Sequence, residues 1–224
     1  MSDTSENPAR EHMIKSQILT GHVQNPFVLS ALASVSRESF VPDAFQGLAY
    51  VDEEIPLGGG RFLMEPLVFA RILAYADIQW YETVLDIGVA TGYSSAILST
   101  LAQNVVAIEE DAALAAKAQS MLAVFPNVEF KQGPLAEGMG KHAPYDVILI
   151  EGATQIVPQA VADQLAEGGR LVTVEHAANA KVAAAGLGTL VEYRKVRGVL
   201  YKTMLRDASV ALLTAFARPE AFTL

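Results

Sequence analysis

Between residues 83 and 174, short apolar runs alternate with stretches of helical length, and that alternation restricts the possible fold more than any other feature. The runs at 83–87, 104–108, 127–130, 146–150 and 170–174 are too short for buried helices and sit between turn residues, so they read as strands. The run DVILI at 146–150 has no polar alternation, as expected of a strand covered on both faces. Segments 92–102, 111–123 and 157–166 read as the intervening helices. This order predicts an α/β fold with a doubly wound, mostly parallel sheet. Beyond it, 188–217 reads as two or three longer strands, an antiparallel pair joined by a hairpin.

The N-terminal part has a different rhythm. Residues 1–10 read as a polar tail. From 11 to 36 the apolar positions Ile14, Ile18 and Leu19, then Val28, Leu29, Leu32 and Val35, recur at helical spacing. Asn25-Pro26 between them reads as an N-cap followed by proline at the first helical position. Residues 49–62, AYVDEEIPLGGGRF, are turn-rich, and three consecutive glycines there permit positive φ or close backbone approach. A helix is predicted over 66–75. With 224 residues the expectation is a single domain, 11–224, in which 11–80 forms an N-terminal helical and loop extension.

Composition narrows the function classes. A formal net charge of −9 repels phosphate backbones, so no nucleic-acid partner is expected. The basic stretch Arg194, Lys195, Arg197, Lys202 and Arg206 reads as the solvated face of a strand pair. The absence of cysteine excludes disulfides, thiolate metal sites and a cysteine nucleophile. No cluster of other ligands has metal spacing, so no metal is expected. The N-terminus lacks a signal-peptide core, and the apolar stretch 66–80 is broken by Arg71 and Asp77; a cytoplasmic protein without membrane contact is expected.

The loop DIGVATGY at 86–93 carries the chemistry. It follows a strand and opens a helix, a geometry that points backbone N–H groups at a ligand over the sheet's C-terminal edge. Glu109 ends the next strand 21 residues after Gly88, where an acid can accept both hydroxyls of a ribose. Together they point to an adenosine-containing cofactor. Asp86 disfavours pyrophosphate and favours a cationic amine or sulfonium. S-adenosylmethionine carries both.

Several blocks in order make the sequence resemble the protein-L-isoaspartate O-methyltransferases, class I S-adenosylmethionine-dependent enzymes of Rossmann-like fold, over roughly 13–205. They are RESFVP at 37–42, AYVDEEIPLG at 49–58, DIGVATGY at 86–93, APYD at 143–146, Val157-Pro158, Gln164-Leu165, GGRLV at 168–172 and GVLY at 198–201. The resemblance implies methyl transfer from S-adenosylmethionine to the α-carboxylate of isoaspartyl residues in damaged proteins or peptides. It implies cofactor contacts from Asp86, Ile87, Gly88, Ala90, Thr91, Gly92, Tyr93, Glu109, Glu110, Pro134 and Leu135. Substrate contacts are implied for Pro56, Gly60, Arg61 and Leu63. Such an enzyme mainly orients and desolvates: a carboxylate is already a nucleophile at neutral pH, and holding it in line about 3 Å from the methyl supplies much of the rate.

The chain departs from the family at several positions. The family's active-site loop carries a serine or threonine two residues before its proline; Met64 stands there, and a thioether donates no hydrogen bond. Losing such a donor costs about 2–4 kcal/mol, roughly two to three orders of magnitude in rate. Arg61 reads first as a solvated loop residue and second as a replacement donor, since guanidinium pairs well with carboxylate. Pro134 and Leu135 follow Gly133 where the family has an acid for the adenine amino group, leaving packing and backbone groups to recognise the base. Ala90 replaces a glycine, a modest crowding. Glu151 replaces a small residue at the end of the fourth strand. It reads as a general base, a partner for the cofactor's amine or a surface ion pair, with a pKa raised by Asp86 if they are neighbours. His176, after Glu175, reads as neither ligand nor base. Three functions remain open: isoaspartyl methylation, methylation of another acceptor, and cofactor binding without turnover.

Overall fold

A computed structural model describes residues 7–177 and 186–218. Its central sheet has seven strands in the order β5-β4-β3-β6-β7-β8-β9. These are β3 (Thr83–Ile87), β4 (Asn104–Glu109), β5 (Val128–Gln132), β6 (Tyr145–Thr154), β7 (Leu165–His176), β8 (Gly186–Val196) and β9 (Val199–Val210). Strands β5 to β7 are parallel, and β8 and β9 add an antiparallel pair beyond β7. The doubly wound sheet with a C-terminal hairpin is as the sequence predicts.

The apolar runs divide between two cores. Val84, Val105, Ala107, Val147 and Leu149 face one side, where they meet the N-terminal helices. Leu85, Ile87, Val106, Ile108, Ile148 and Ile150 face the other. Period-2 alternation therefore exists, but both faces are apolar, which is why the sequence shows continuous runs. Chain order reverses beside β3: β4 and β5 lie on one side, β6 and β7 on the other. Ligands of such sheets bind at that switch point, outside the strands' carboxyl ends. Ile87 pairs with Ile150, so Gly88 and Glu151 emerge at the same edge.

The N-terminal layer holds α1 (Pro8–Met13), a continuing wide turn at Ile14–Ile18, α2 (Pro26–Ser34) and α3 (Pro66–Ala76). Helices α4 (Tyr93–Leu98), α5 (Ala112–Leu122) and α6 (Gln159–Asp163) follow β3, β4 and β6. Asn25 caps α2, its Oδ1 accepting from the N–H groups of Phe27 and Val28 at 2.9 and 3.4 Å.

Three expectations need correction. Residues 7–10 are not tail: Asn7 caps α1, and Arg10 is buried, donating to Tyr50 Oη, the Ala33 carbonyl and Ser36 Oγ at 2.9, 2.8 and 2.7 Å. The polar composition concealed a buried arginine whose donors are met by distant segments. The turn-rich 49–62 stretch contains a hairpin, β1 (Ile55–Gly58) and β2 (Arg61–Leu63). The segment after β9 does not end as a strand but returns to β6: Leu213 N–H donates to the Ala153 carbonyl at 3.0 Å and Gln155 N–H to the Phe216 carbonyl at 2.9 Å. The basic stretch is paired on the strand surface, Lys202 with Glu175 at 2.7 Å and Arg194 with Glu192 at 3.1 Å. No helix among the described residues is long and apolar enough to cross a membrane.

Arg170 on β7 fixes the far end of α3. Its two terminal nitrogens each donate to a Glu82 oxygen at 2.8 Å, Nη2 also meets the Asp77 carbonyl at 2.8 Å, and Nε meets the Ala76 carbonyl. Both side chains are buried. Arg170→Ala strands the Glu82 charge and the helix-end carbonyls, so unfolding stability is expected to fall by about 3–5 kcal/mol. Urea denaturation checks this; a loss below about 1 kcal/mol would mean that solvent already screens the fork.

Candidate active site

The loop after β3 turns sharply because Gly88, Ala90 and Gly92 all adopt positive φ, at 82°, 49° and 96°. For Ala90 that conformation costs about 1–2 kcal/mol. It is held there because its N–H points at Glu109 Oε2, 2.7 Å away. The Glu109 carboxylate is wholly buried. Its Oε1 accepts from the N–H groups of Glu110 and Asp111 at 2.9 and 3.0 Å and from Arg61 Nη1 at 2.7 Å. The second nitrogen of Arg61 donates to the Gly88 carbonyl at 2.8 Å. Arg61 therefore crosses from β2 onto the acceptors that the sequence assigns to a ribose; it is not a solvated loop residue, its side chain being 12% exposed.

Behind the loop lies a pair of carboxyl groups. Asp86 is fully buried; its Oδ2 accepts from Ser94 and Ser95 hydroxyls at 2.7 and 2.6 Å, while Oδ1 has no donor. Glu151 Oε1 is likewise buried without a donor. Burial pushes the Glu151 carboxyl well above the ordinary range, and repulsion from Asp86 pushes it further. Burial also raises Asp86, against the two serine hydroxyls that favour its charged form. A proton shared between them satisfies both oxygens, as would the N–H groups of a bound cation.

A second group of side chains gathers around Met64. Arg37, fully buried, donates to the Ala49 and Met64 carbonyls at 2.7 and 2.6 Å, and its guanidinium lies 5.0 Å over the Tyr93 ring. Phe40 and Phe69 flank the same ring. This stack pins the loop between β2 and α3. The buried Met64 side chain and Glu151 line one cavity of about 10 Å³, roughly one water. Glu65, which opens α3, is pushed up to about 7 by burial, then by Asp52 and Glu54.

The structure places the remaining candidates as follows. Ile87 belongs to the core and Tyr93 to the aromatic stack, so neither side chain is free to meet a ligand. Thr91 Oγ1 donates to the Phe40 carbonyl at 2.7 Å, tying the loop to the N-terminal layer. Glu110 Oε2 accepts from Leu135 N–H at 3.4 Å, which places Pro134 and Leu135 beside the β4 end. Pro56 and Gly60 are exposed on the hairpin, and Leu63 is buried beneath it. Sequence reasoning missed Arg37, Ser94, Ser95 and Leu213. The two serines directly after Gly92-Tyr93 were a readable signal for support of Asp86. Leu213 was not, since it arrives from the chain's far end. A Cβ on Gly88 would lie 3.2 Å from both Leu213 Cδ1 and Arg61 Nη2, and one on Gly152 2.5 Å from Leu213 Cγ.

The acceptors suit an S-adenosyl cofactor: one buried carboxylate for vicinal hydroxyls, and two unpartnered carboxyl oxygens for an ammonium. The space above Gly88 is taken by Arg61 and Leu213.

The sequence model of the protein-L-isoaspartate(D-aspartate) O-methyltransferase family matches residues 8–204. The chain belongs to that family. A protein-L-isoaspartate O-methyltransferase of Synechococcus sp. (strain JA-2-3B'a(2-13)) is 40% identical over 165 residues, 73% of this chain and 68% of the relative. Protein-L-isoaspartate O-methyltransferase 1 of Rhodopseudomonas palustris (strain HaA2) is 39% identical over 171 residues, 75% of this chain and 70% of the relative. A solved protein-L-isoaspartate O-methyltransferase superposes with a TM-score of 0.78 at 22% identity, covering 93% of this chain and 67% of that one. A putative Plasmodium falciparum enzyme of the same name, in complex with S-adenosyl-L-homocysteine, gives 0.76 at 16% identity, covering 94% and 98%. The two structures support the shared fold.

The carboxyl pair makes a pH prediction. A carboxyl raised in the folded state holds its proton after the unfolded chain has lost it. Stability therefore falls as pH rises from about 4.5, the ordinary carboxylate value, through the raised folded value, and levels off above it. Glu65 adds a fall of the same sign below about 7. Glu151→Gln removes one charge and offers Asp86 Oδ1 an amide donor. It is expected to stabilise the chain by about 1–3 kcal/mol at pH 8 and by much less at pH 4.5. Thermal melts across that range check the sign; a benefit that is larger at pH 4.5 would contradict the shared proton.

Proposed function

We propose that this chain is an S-adenosylmethionine-dependent methyltransferase that methylates the α-carboxylate of isoaspartyl residues in proteins or peptides. The observation that carries the reading is the buried Glu109 carboxylate beside Gly88, at the switch point of the sheet. Relatives at 39–40% identity bear the name of that activity. Glu109 would hold the ribose hydroxyls, the Gly88–Gly92 backbone would line the cofactor, and the pair Asp86 and Glu151 would meet its amine. When bound, S-adenosylmethionine supplies an electrophilic methyl and a neutral thioether leaving group. The chain's own part is orientation: Arg37 fixes the Met64 carbonyl, and the buried Met64 side chain walls the acceptor side with an apolar surface. A chain without cysteine suits a reducing compartment, and we place its action in the cytoplasm.

One observation favours a second reading, transfer to a different acceptor. Met64, where the family has a hydroxyl, and Glu151, where it has a small residue, line the same cavity. An additional acid there disfavours an anionic acceptor unless a cation offsets it.

Calorimetry with S-adenosylhomocysteine, then tritiated-methyl transfer to an isoaspartyl peptide, tests the proposal. Binding and transfer above a normal-aspartyl control are expected. Binding with transfer only to another acceptor would establish the second reading, and absence of binding would refute both.

A further inference from the structure

We propose that Arg61 is a latch with two positions: on Glu109 it closes the ribose site, and released by the cofactor it becomes the cation that receives the substrate carboxylate. This rests on the proposed function above and names the residue that orders its two ligands.

The closed position is explicit in the structure. Both terminal guanidinium nitrogens are engaged, one on Glu109 Oε1 and one on the Gly88 carbonyl, at 2.7 and 2.8 Å. A buried carboxylate that accepts four hydrogen bonds from its own chain has little capacity left for two ribose hydroxyls. Three of its donors are backbone N–H groups belonging to the loop and to the turn into α5; they are fixed by the fold. Arg61 alone is a side chain, so it is the donor that a cofactor displaces.

The open position follows from the hinge and from what lies beside it. Arg61 directly follows Gly58, Gly59 and Gly60, all at positive φ, and a Cβ on Gly58 or Gly60 would meet nothing within 4 Å. No side chain packs on the hairpin tip at those two glycines, so a turn of the Arg61 side chain disturbs no packing there. Arg61 also lines a second cavity together with Met64 and Glu151, on the acceptor side. A guanidinium swung off Glu109 meets Glu151 there and offers a carboxylate two parallel N–H donors in place of the split contact to Glu109 and the Gly88 carbonyl. Arg37, the other guanidinium near Met64, already donates to the Ala49 and Met64 carbonyls, which hold it in place. Arg61 then replaces the hydroxyl donor that Met64 lacks, and it offsets the charge of the Asp86–Glu151 pair. Because its release requires a ligand on Glu109, cofactor binding precedes productive binding of the carboxylate.

The test separates two readouts on the full chain. S-adenosylhomocysteine affinity is measured by calorimetry for the wild type, Arg61→Ala and Arg61→Lys, the lysine keeping the charge but not the two-pronged contact. Arg61→Ala is expected to bind about tenfold more tightly, since no competitor remains on Glu109. Methyl transfer to an isoaspartyl peptide is expected to show a KM raised about a hundredfold by Arg61→Ala, with kcat changed far less. Arg61→Lys should fall between wild type and alanine on both readouts. Unchanged or weaker S-adenosylhomocysteine binding by folded Arg61→Ala overturns the latch while leaving the proposed function standing. Tighter binding with an unchanged peptide KM overturns the second position. Failure of all three proteins to bind overturns the latch and the proposed function together.

Discussion

Glu109 is the point on which the site hangs. A carboxylate at the end of β4 is taken wholly out of water, which costs several kcal/mol unless its oxygens are filled. They are filled by the glycine loop through Ala90, by the turn into α5 through Glu110 and Asp111, and by the β1–β2 hairpin through Arg61. One side chain thus sets the curvature of the loop, the start of a helix and the position of a hairpin that is far away in sequence. The positive φ of Ala90 is the visible cost of this arrangement, tolerated because the same residue supplies a donor.

From this follows a division of labour between the two halves of the site. The proposed cofactor side is made of β3, β4 and their loops, elements held within the sheet. The proposed acceptor side is made of the hairpin, the Met64 loop and the segment carrying Leu213, elements held by Arg61, by Arg37 and by a few backbone bonds to β6. Met64 and Glu151 line the same two cavities, and Arg61 joins the hairpin to Glu109 while lining one of them.

The same division governs what could be read from the sequence. The end of β3 at Ile87 and the beginning of β4 at Asn104 were legible, because an apolar run that meets glycine or asparagine records both its burial and its end. Glu109 was legible because parallel strands joined by one helix impose a nearly fixed spacing. The hairpin was not: Ile55–Gly58 and Arg61–Leu63 are too short for a period to show, and their glycines looked like a loop. Arg10 and Arg37 were hidden because burial of an arginine depends on carbonyls from other segments. The approach of Leu213 to Gly88 and Gly152 depends on a parallel bridge between Ala153 and Leu212, a contact with no local signature. Local pattern recorded the scaffold, while the contents of the site were set by contacts between distant parts of the chain.

The central claim is that Glu109 is a ribose acceptor held in reserve by Arg61. A crystal structure of the chain with S-adenosylhomocysteine bound tests it most directly. The expected result has both ribose hydroxyls on Glu109 and the Arg61 guanidinium moved to the side of Met64 and Glu151. A structure with the ligand bound and Arg61 still on Glu109 and the Gly88 carbonyl would contradict it.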